Sequence, residues 1–431
     1  MSKYQTFTFR RYHFDQQQKK LELYYAYDDD LQFCETYTFD FGFVDYDEAV
    51  LDRALQMLFL VAGVSYYKAF VAPEIAVETG EIDTELAGFL SQTYQQGLGE
   101  FFYVNQLDPR TVVSFPVMAA DFEPLIQPGT AGQLVGVGGG KDSLVSIELL
   151  RKHDPELTTW SLNHRPQLTP LVERIGLPHY WVERQWDPQL LTLKDDPAAY
   201  NGHVPISAIF ACVGTIVAIL SGKRDVIVSN EHSANEPTLE YQGVAINHQY
   251  SKSLAFEQSY QTLLQHSFGD SLHYFSFLRP LSELRIAELF AQIGFEKYKA
   301  VFSSCNRAFV HSSRALFWDG TCPKCAFVFL ALTPFIDRTK LETLFDGKNL
   351  LLDPGLDDTY RQLLGIAGDK PLECVGEIKE SRAAMRLAQQ RYPELEKYTF
   401  ELPEDYDYRQ LAPHSMPPEV YGQLGQALSE A

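Results

Sequence analysis

The segment LVGVGGGKDSLVSIELL, residues 134–150, places three consecutive glycines, a lysine, an aspartate and a serine between an apolar strand and an apolar-faced helix. Glycine reaches backbone angles closed to other residues. The amides of Gly138, Gly139 and Gly140 can therefore close on an anion at the positive end of a helix starting near Ser143. Lys141 would add positive charge, and Asp142 could hold magnesium. The spacing is neither GxxxxGK[ST] nor GxGxxG, so the nucleoside-triphosphatase loop and the dinucleotide fingerprint both fail. A glycine-rich turn without a ligand is the plainer alternative, and the order strand, loop, helix argues against it.

A second group is built on sulfur. Cys322 and Cys325 have the CxxC spacing of a zinc knuckle, and Cys305 is close enough upstream to supply a third thiolate. Asp319, three residues before Cys322, could complete a tetrahedral set of three sulfurs and one carboxylate; His311 is another fourth ligand. A redox or metal-free role stays open. Cys212 lies in an apolar helix, and Cys34 and Cys374 carry no ligand spacing.

Four polar islands each fall at an expected strand end or helix start. They are Asn201-Gly202-His203, Ser229 to Ser233 around His232, Asn247 to Ser253 with His248 and Lys252, and Arg279 to Glu283. Singly they mean little, because a loop histidine is more often structural and Ser229, Ser251 and Ser282 suit helix caps. Together they converge on one crevice. His203, His232, His248, Lys252 and Arg279 are accordingly candidates for substrate and transition-state contacts, and Asn163 is a candidate for the nucleotide. Gly63 to Lys68 and Gly97 to Phe101 read first as structural turns. If functional, Tyr66, Lys68 and Glu100 would close over the substrate and exclude water.

Positioning these groups needs a scaffold. Strands over 4–14 and 21–27 followed by a helix near 48–62 suggest an α+β N-terminal domain, residues 1–125. From Leu134 strand and helix alternate, which predicts an α/β domain over 132–340 with a doubly wound parallel sheet and ligands at the strands' carboxyl ends. Residues 341–431 read as a mostly helical C-terminal region, and 121–133, rich in Pro, Gly and Thr, as a seam.

The 431-residue chain carries a formal net charge of −21, which argues against a nucleic-acid partner. Its start does not resemble a signal peptide, and no segment offers roughly 18 uninterrupted apolar residues, so neither secretion nor a membrane span is expected. Six cysteines in such a length fit a reducing compartment, so a cytoplasmic enzyme is the expectation.

The glycine loop resembles the SGGxDS loop of the PP-loop ATP pyrophosphatases, with Gly138 where serine is usual. The series GVSYYK, GLGEF, GGGKDS, NGHVP, SNEHSAN, NHQYSKS, LRPLSEL, SCNRAF, CPKCAFVFLAL and CVGE, in that order over most of the chain, is similar to the MurL family. Its members are ATP-dependent UDP-N-acetylmuramoyl-L-alanyl-L-glutamate epimerases of peptidoglycan precursor synthesis. The resemblance implies a PP-loop fold, the UDP-N-acetylmuramoyl dipeptide and ATP as small-molecule partners, magnesium at Asp142, and AMP and pyrophosphate as products. It leaves His203, His232, His248 and Cys305 as candidates for two proton transfers. One departure stands out, since such families commonly carry WCGxCPKC where this chain has Trp318-Asp319-Gly320-Thr321-Cys322, which puts a four-cysteine zinc site in doubt.

The implied chemistry is coherent. Deprotonating Cα beside a free carboxylate would place two negative charges together, and adenylation removes that obstacle, so that a base and an acid can invert the centre. The competing readings are another PP-loop adenylating enzyme such as a 7-cyano-7-deazaguanine synthase-like one, a tRNA-modifying relative, and a protein that senses ATP without turnover. The N-terminal domain and the polar islands disfavour the first, and the absence of a basic strip disfavours the second.

Overall fold

A computed structural model describes residues 2–309 and 313–430, so His311 lies outside the described residues. The N-terminal strands β1 (Thr6–Asp15), β2 (Lys20–Tyr27) and β3 (Leu31–Asp40) form an antiparallel meander. Alternation sets their inner face: Leu21, Leu23 and Tyr25 on β2 and Phe33, Tyr37 and Phe39 on β3 are buried. Helix α1 (Glu48–Ala62) packs over this face, with Asp47 capping the amides of Ala49 and Val50 and Phe59 stacked on Tyr25 at 5.4 Å. The stretch Glu48–Tyr67 is long and apolar enough to cross a bilayer, contrary to the expectation from uninterrupted runs, but it is buried in this core. Strand β4 (Glu74–Val77) pairs parallel with β1, and α2 (Thr84–Gly97) follows.

The strand and helix alternation then begins: β5 (Gln133–Gly136), α3 (Lys141–Leu150), β6 (Thr158–Leu162), β7 (His179–Gln185), α4 (Ile206–Ser221) and β8 (Asp225–Val228). A small hairpin, β9 (Leu239–Tyr241) and β10 (Val244–Ile246), precedes α5 (Leu254–Phe268) and β11 (His273–Ser276). Beyond them α6 (Glu283–Ile293), α7 (Pro323–Leu332) and α8 (Ile378–Gln389) pack together. Every residue of β6 is buried, as a central strand covered on both faces requires, and α4, apolar nearly all round, lies inside.

The sheet has nine strands in the order β11-β8-β5-β6-β7-β3-β2-β1-β4. Strands β11, β8, β5, β6 and β7 run parallel, with β5 at the point where successive connections turn to opposite sides. A crevice therefore opens at the carboxyl end of β5, where the glycine loop begins. The architecture is α/β with a large, mostly parallel central sheet.

The sheet does not stop at the expected seam over 121–133. β3 pairs antiparallel with β7, Tyr37 opposite Arg184, so the N-terminal strands extend the parallel sheet instead of forming a sheet of their own. An unpaired β7 would leave a row of open amides and carbonyls. The junction carries a buried ion pair: Arg184 Nε and Nη2 donate to Glu35 Oε1 and Oε2 at 2.8 and 3.0 Å, and Nη2 also donates to Ser65 Oγ at 2.9 Å.

Arg184→Met leaves Glu35 buried without its cation and lowers stability by about 3–5 kcal/mol. The double variant Glu35→Leu with Arg184→Met recovers most of that loss. Urea midpoints of the three proteins check both statements.

Candidate active site

The residues after β5 form an open cradle. Gly139 sits at φ +95°, and a Cβ there would come within 2.9 Å of Phe309 and 3.2 Å of the Ser303 carbonyl, so only glycine fits. At Gly138 a Cβ would meet nothing within 4 Å, which leaves this position facing open space. Helix α3 starts at Lys141, two residues before the expected Ser143, and its N-cap Gly140 makes no side-chain capping bond. Its first amides are thus available to an anion. Ser143 Oγ donates to the Gly140 carbonyl at 3.3 Å, and Ser146 and Ser229 hydroxyls join at 2.7 Å across the crevice. Beside the loop, Val137, Trp160, Leu162, Phe210 and Asn230 line a slot of about 150 Å³.

Lys141 does not point at this cradle. Its ammonium is 2% exposed and lies between Asp142 and the buried Glu283, and their carboxylates raise its pKa against the effect of burial. A carboxylate buried as deeply as Glu283 needs a cation, and Lys141 supplies it. Lys324 Nζ stands 3.7 Å from the same carboxylate and donates to the Cys374 carbonyl. Asp142 remains partly exposed at the loop.

Asn163 also differs from its expected use. It adopts φ +62°, and its Oδ1 accepts the Arg184 amide at 2.6 Å, which pins the end of β6 to β7.

Two of the polar islands meet over Glu100. His248 Nδ1 is hydrogen-bonded to Glu100 Oε2, His203 Nδ1 lies 3.5 Å from the same oxygen, and the two imidazoles are 4.7 Å apart. On the far side His248 Nε2 is 4.0 Å from Cys374 Sγ, and Lys252 Nζ donates to that sulfur at 3.1 Å. Burial works against charge on His248, but Cys374 and Glu100 outweigh it and push its pKa up to about 9. Burial and the charge of His248 push His203 down to about 4. One imidazole is thus charged and its neighbour neutral near pH 7.

His203 lines a cavity of about 450 Å³ together with Lys68, Trp186, Lys194, Tyr200 and Asn201. Lys68 donates to Asn201 Oδ1 and the Gly202 carbonyl at 3.2 and 2.5 Å, and burial lowers its pKa to about 8. Tyr66 is fully buried, its hydroxyl accepting the Asp187 amide at 3.1 Å, and forms no part of a closing surface.

The remaining candidates lie elsewhere. His232 is apart from the imidazole pair, with Nε2 3.7 Å from Glu377. Arg279 is fully buried: it donates to Glu257 at 2.9 and 3.0 Å, to the Glu231 carbonyl at 2.7 Å and to the Lys252 carbonyl. It braces two islands from beneath, with no exposed surface of its own. Glu231, also buried, is pushed up to about 6 by burial and by the charge of Glu283.

Cys305 is fully buried and belongs to the sulfur group. One donor atom from each of Cys305, Asp319, Cys322 and Cys325 lies within 4.8 Å of all the others, and Cys325 Sγ donates to Asp319 Oδ1 at 3.1 Å. Three sulfurs and one carboxylate oxygen at that spacing fit a tetrahedral zinc ion. Cys374, Lys324, Glu231 and Glu283 are not singled out from the sequence, although the last two fall within the polar islands. Cys374 had no ligand spacing to betray it, because its partners are 126 and 122 residues away in the chain.

Comparison with known proteins agrees with this organisation. The MurL N-terminal domain matches residues 1–277, and the MurL C-terminal domain matches residues 301–400. A protein of Xanthomonas oryzae pv. oryzae named UDP-N-acetyl-alpha-D-muramoyl-L-alanyl-L-glutamate epimerase is 40% identical over 392 residues, 90% of this chain and 86% of that protein. Proteins of the same name from Salinispora tropica and a Micromonospora species are each 40% identical over 341 residues, 79% of this chain and 74% and 75% of theirs. The chain belongs to the MurL family and is an epimerase, hence an isomerase.

Proposed function

We propose that this chain inverts the terminal L-glutamate of UDP-N-acetylmuramoyl-L-alanyl-L-glutamate to D-glutamate, an ATP-dependent cytoplasmic step of peptidoglycan precursor synthesis that releases AMP and pyrophosphate. The observation that carries this reading is the short ionic path from the glycine loop through Lys141, Glu283 and Lys324 to the Cys374 carbonyl, next to a pair of imidazoles in opposite charge states. A candidate anion-binding cradle and a set of candidate proton-transfer groups are thus joined by contiguous charged contacts.

ATP would supply the adenylyl group that neutralises the glutamate carboxylate and makes the Cα proton removable. The amides of Gly138 to Gly140 and the start of α3 hold phosphate oxygens, and the adjacent slot at Trp160 and Phe210 suits the base. Asp142 offers a carboxylate to magnesium. The 450 Å³ cavity, with Lys68 and Lys194 on its wall, suits the anionic and sugar portions of the substrate and leads to His203. His203 is neutral and charged His248 holds its proton against Glu100, so the imidazole pair would order charge and hydrogen bonds beside the reacting centre. Zinc at Cys305, Asp319, Cys322 and Cys325 would fix the loop after α6 to α7, a structural task.

Incubation with ATP, magnesium and the UDP-N-acetylmuramoyl dipeptide is expected to yield AMP and, after acid hydrolysis, D-glutamate by chiral chromatography, with neither formed when ATP or dipeptide is omitted. AMP without D-glutamate would sink the epimerisation reading, and D-glutamate without AMP would sink the adenylation reading. The sulfur cluster makes a separate prediction. Purified protein is expected to carry about one equivalent of zinc by elemental analysis, and Cys322→Ser to lose the metal with a lower Tm.

A further inference from the structure

Cys374 lies outside the sulfur cluster and in no motif with ligand spacing, yet three cationic side chains meet this residue. Lys252 Nζ donates to Sγ at 3.1 Å and His248 Nε2 stands 4.0 Å away, while the Cys374 carbonyl is held by Lys324. Among the described residues no carboxylate forms an ion pair with Lys252; the charges acting on its ammonium are Cys374 first, then Glu231 and Asp142 from beyond that distance. An ammonium removed from water calls for an anion, and the sulfur of Cys374 is the group placed to be one.

We propose that Cys374 is the thiolate base that removes the Cα proton of the substrate's terminal glutamyl residue, with Lys252 and His248 as its positioning residues. This rests on the epimerase reading above. The Cα–H bond breaks and its electron pair moves onto the oxygen of the activated carbonyl, while the S–H bond forms on Cys374. A solvent-exchanging acid on the opposite face then delivers a proton to Cα, and Cys374 returns its own to water, so charge and protons balance over a turnover.

The electrostatics agree with the geometry. Burial opposes ionisation, but Lys252 and then His248 outweigh it and bring Cys374 down to about 5, with Lys324 adding to the effect. The charged groups facing the thiol from each side are Lys252 on the island before α5, His248 backed by Glu100 and His203, and Lys324 on α7. The neighbouring carboxylate, Glu373, is tied to the Lys324 amide at 3.0 Å, and burial raises its pKa. Cys374 as a residue is partly exposed, while its thiol is turned toward Lys252 and His248. Contacts through Lys324 and Glu283 connect its backbone carbonyl to Lys141 at the start of α3.

The test combines thiol chemistry with isotope uptake on the full chain. Iodoacetamide at about pH 6.5, read by peptide mass spectrometry, is expected to label Cys374 well ahead of Cys34, a half-buried thiol whose pKa burial raises. Lys252→Met is expected to move the pH midpoint of Cys374 labelling upward. In deuterium oxide, wild-type protein with ATP and dipeptide is expected to place deuterium at Cα. Cys374→Ser is expected to lower that uptake and D-glutamate formation about 100-fold or more at an unchanged Tm. Wild-type-like deuterium uptake by Cys374→Ser, or Cys374 labelling no faster than Cys34, would overturn the proposal while leaving the functional reading intact. Wild-type protein without epimerisation would overturn that reading and this role with it.

Discussion

Glu283 is a carboxylate with almost no contact with water, at the start of the helix behind the crevice, and the groups around it follow from that burial. An ion so placed requires cations, and Lys141 and Lys324 provide them from two distant parts of the chain. Lys141 opens the helix after the glycine loop, and Lys324 stands between two cysteines of the sulfur cluster and reaches the Cys374 carbonyl. One buried charge thus links the glycine loop, the sulfur cluster and the Cys374 turn. Glu380, itself buried, accepts the Glu283 amide at 2.9 Å and brings the C-terminal region into the same arrangement.

Arg279 does comparable work on the other side. Its guanidinium, neutralised by Glu257, is spread over the carbonyls at Glu231 and Lys252, so two loops far apart in sequence keep a fixed separation. Lys252 is thereby presented to Cys374 from a backbone that is itself held. Pre-organisation of this kind suits proton transfer, because the acid and base must stand at fixed distances before the substrate arrives. Loops carry the chemistry, and buried ion pairs give the loops their rigidity.

The sheet extension serves the same end. By pairing β3 with β7, the fold carries the N-terminal strands and the helical segments after them up to the crevice, where Glu100 joins the two histidines and Lys68 fixes the loop at Asn201. Glu35 and Arg184 hold that junction, and Asn163 locks the adjacent strand end. Residues 1–125 are therefore part of the site's wall as well as part of the sheet.

Local pattern was enough to reveal the strand, glycine loop and helix, the strand and helix alternation after Leu134, and the grouping of Cys305, Asp319, Cys322 and Cys325, because each depends on neighbours in sequence or on short ligand spacing. The resemblance in ordered motifs pointed to the family, whose two domain matches cover residues 1–277 and 301–400. Local pattern gave no means of separating Lys141 and Arg279, which are buried braces, from His203 and His248, which face each other over Glu100. It also passed over Cys374, and it drew a domain boundary where the sheet runs on. Sequence by itself determined the elements and the chemical types at their ends, since propensity, periodicity and glycine's backbone freedom act over a few residues. Tertiary structure alone decided which of those groups are sealed from water and which meet, since burial and charge pairing depend on residues more than a hundred positions apart.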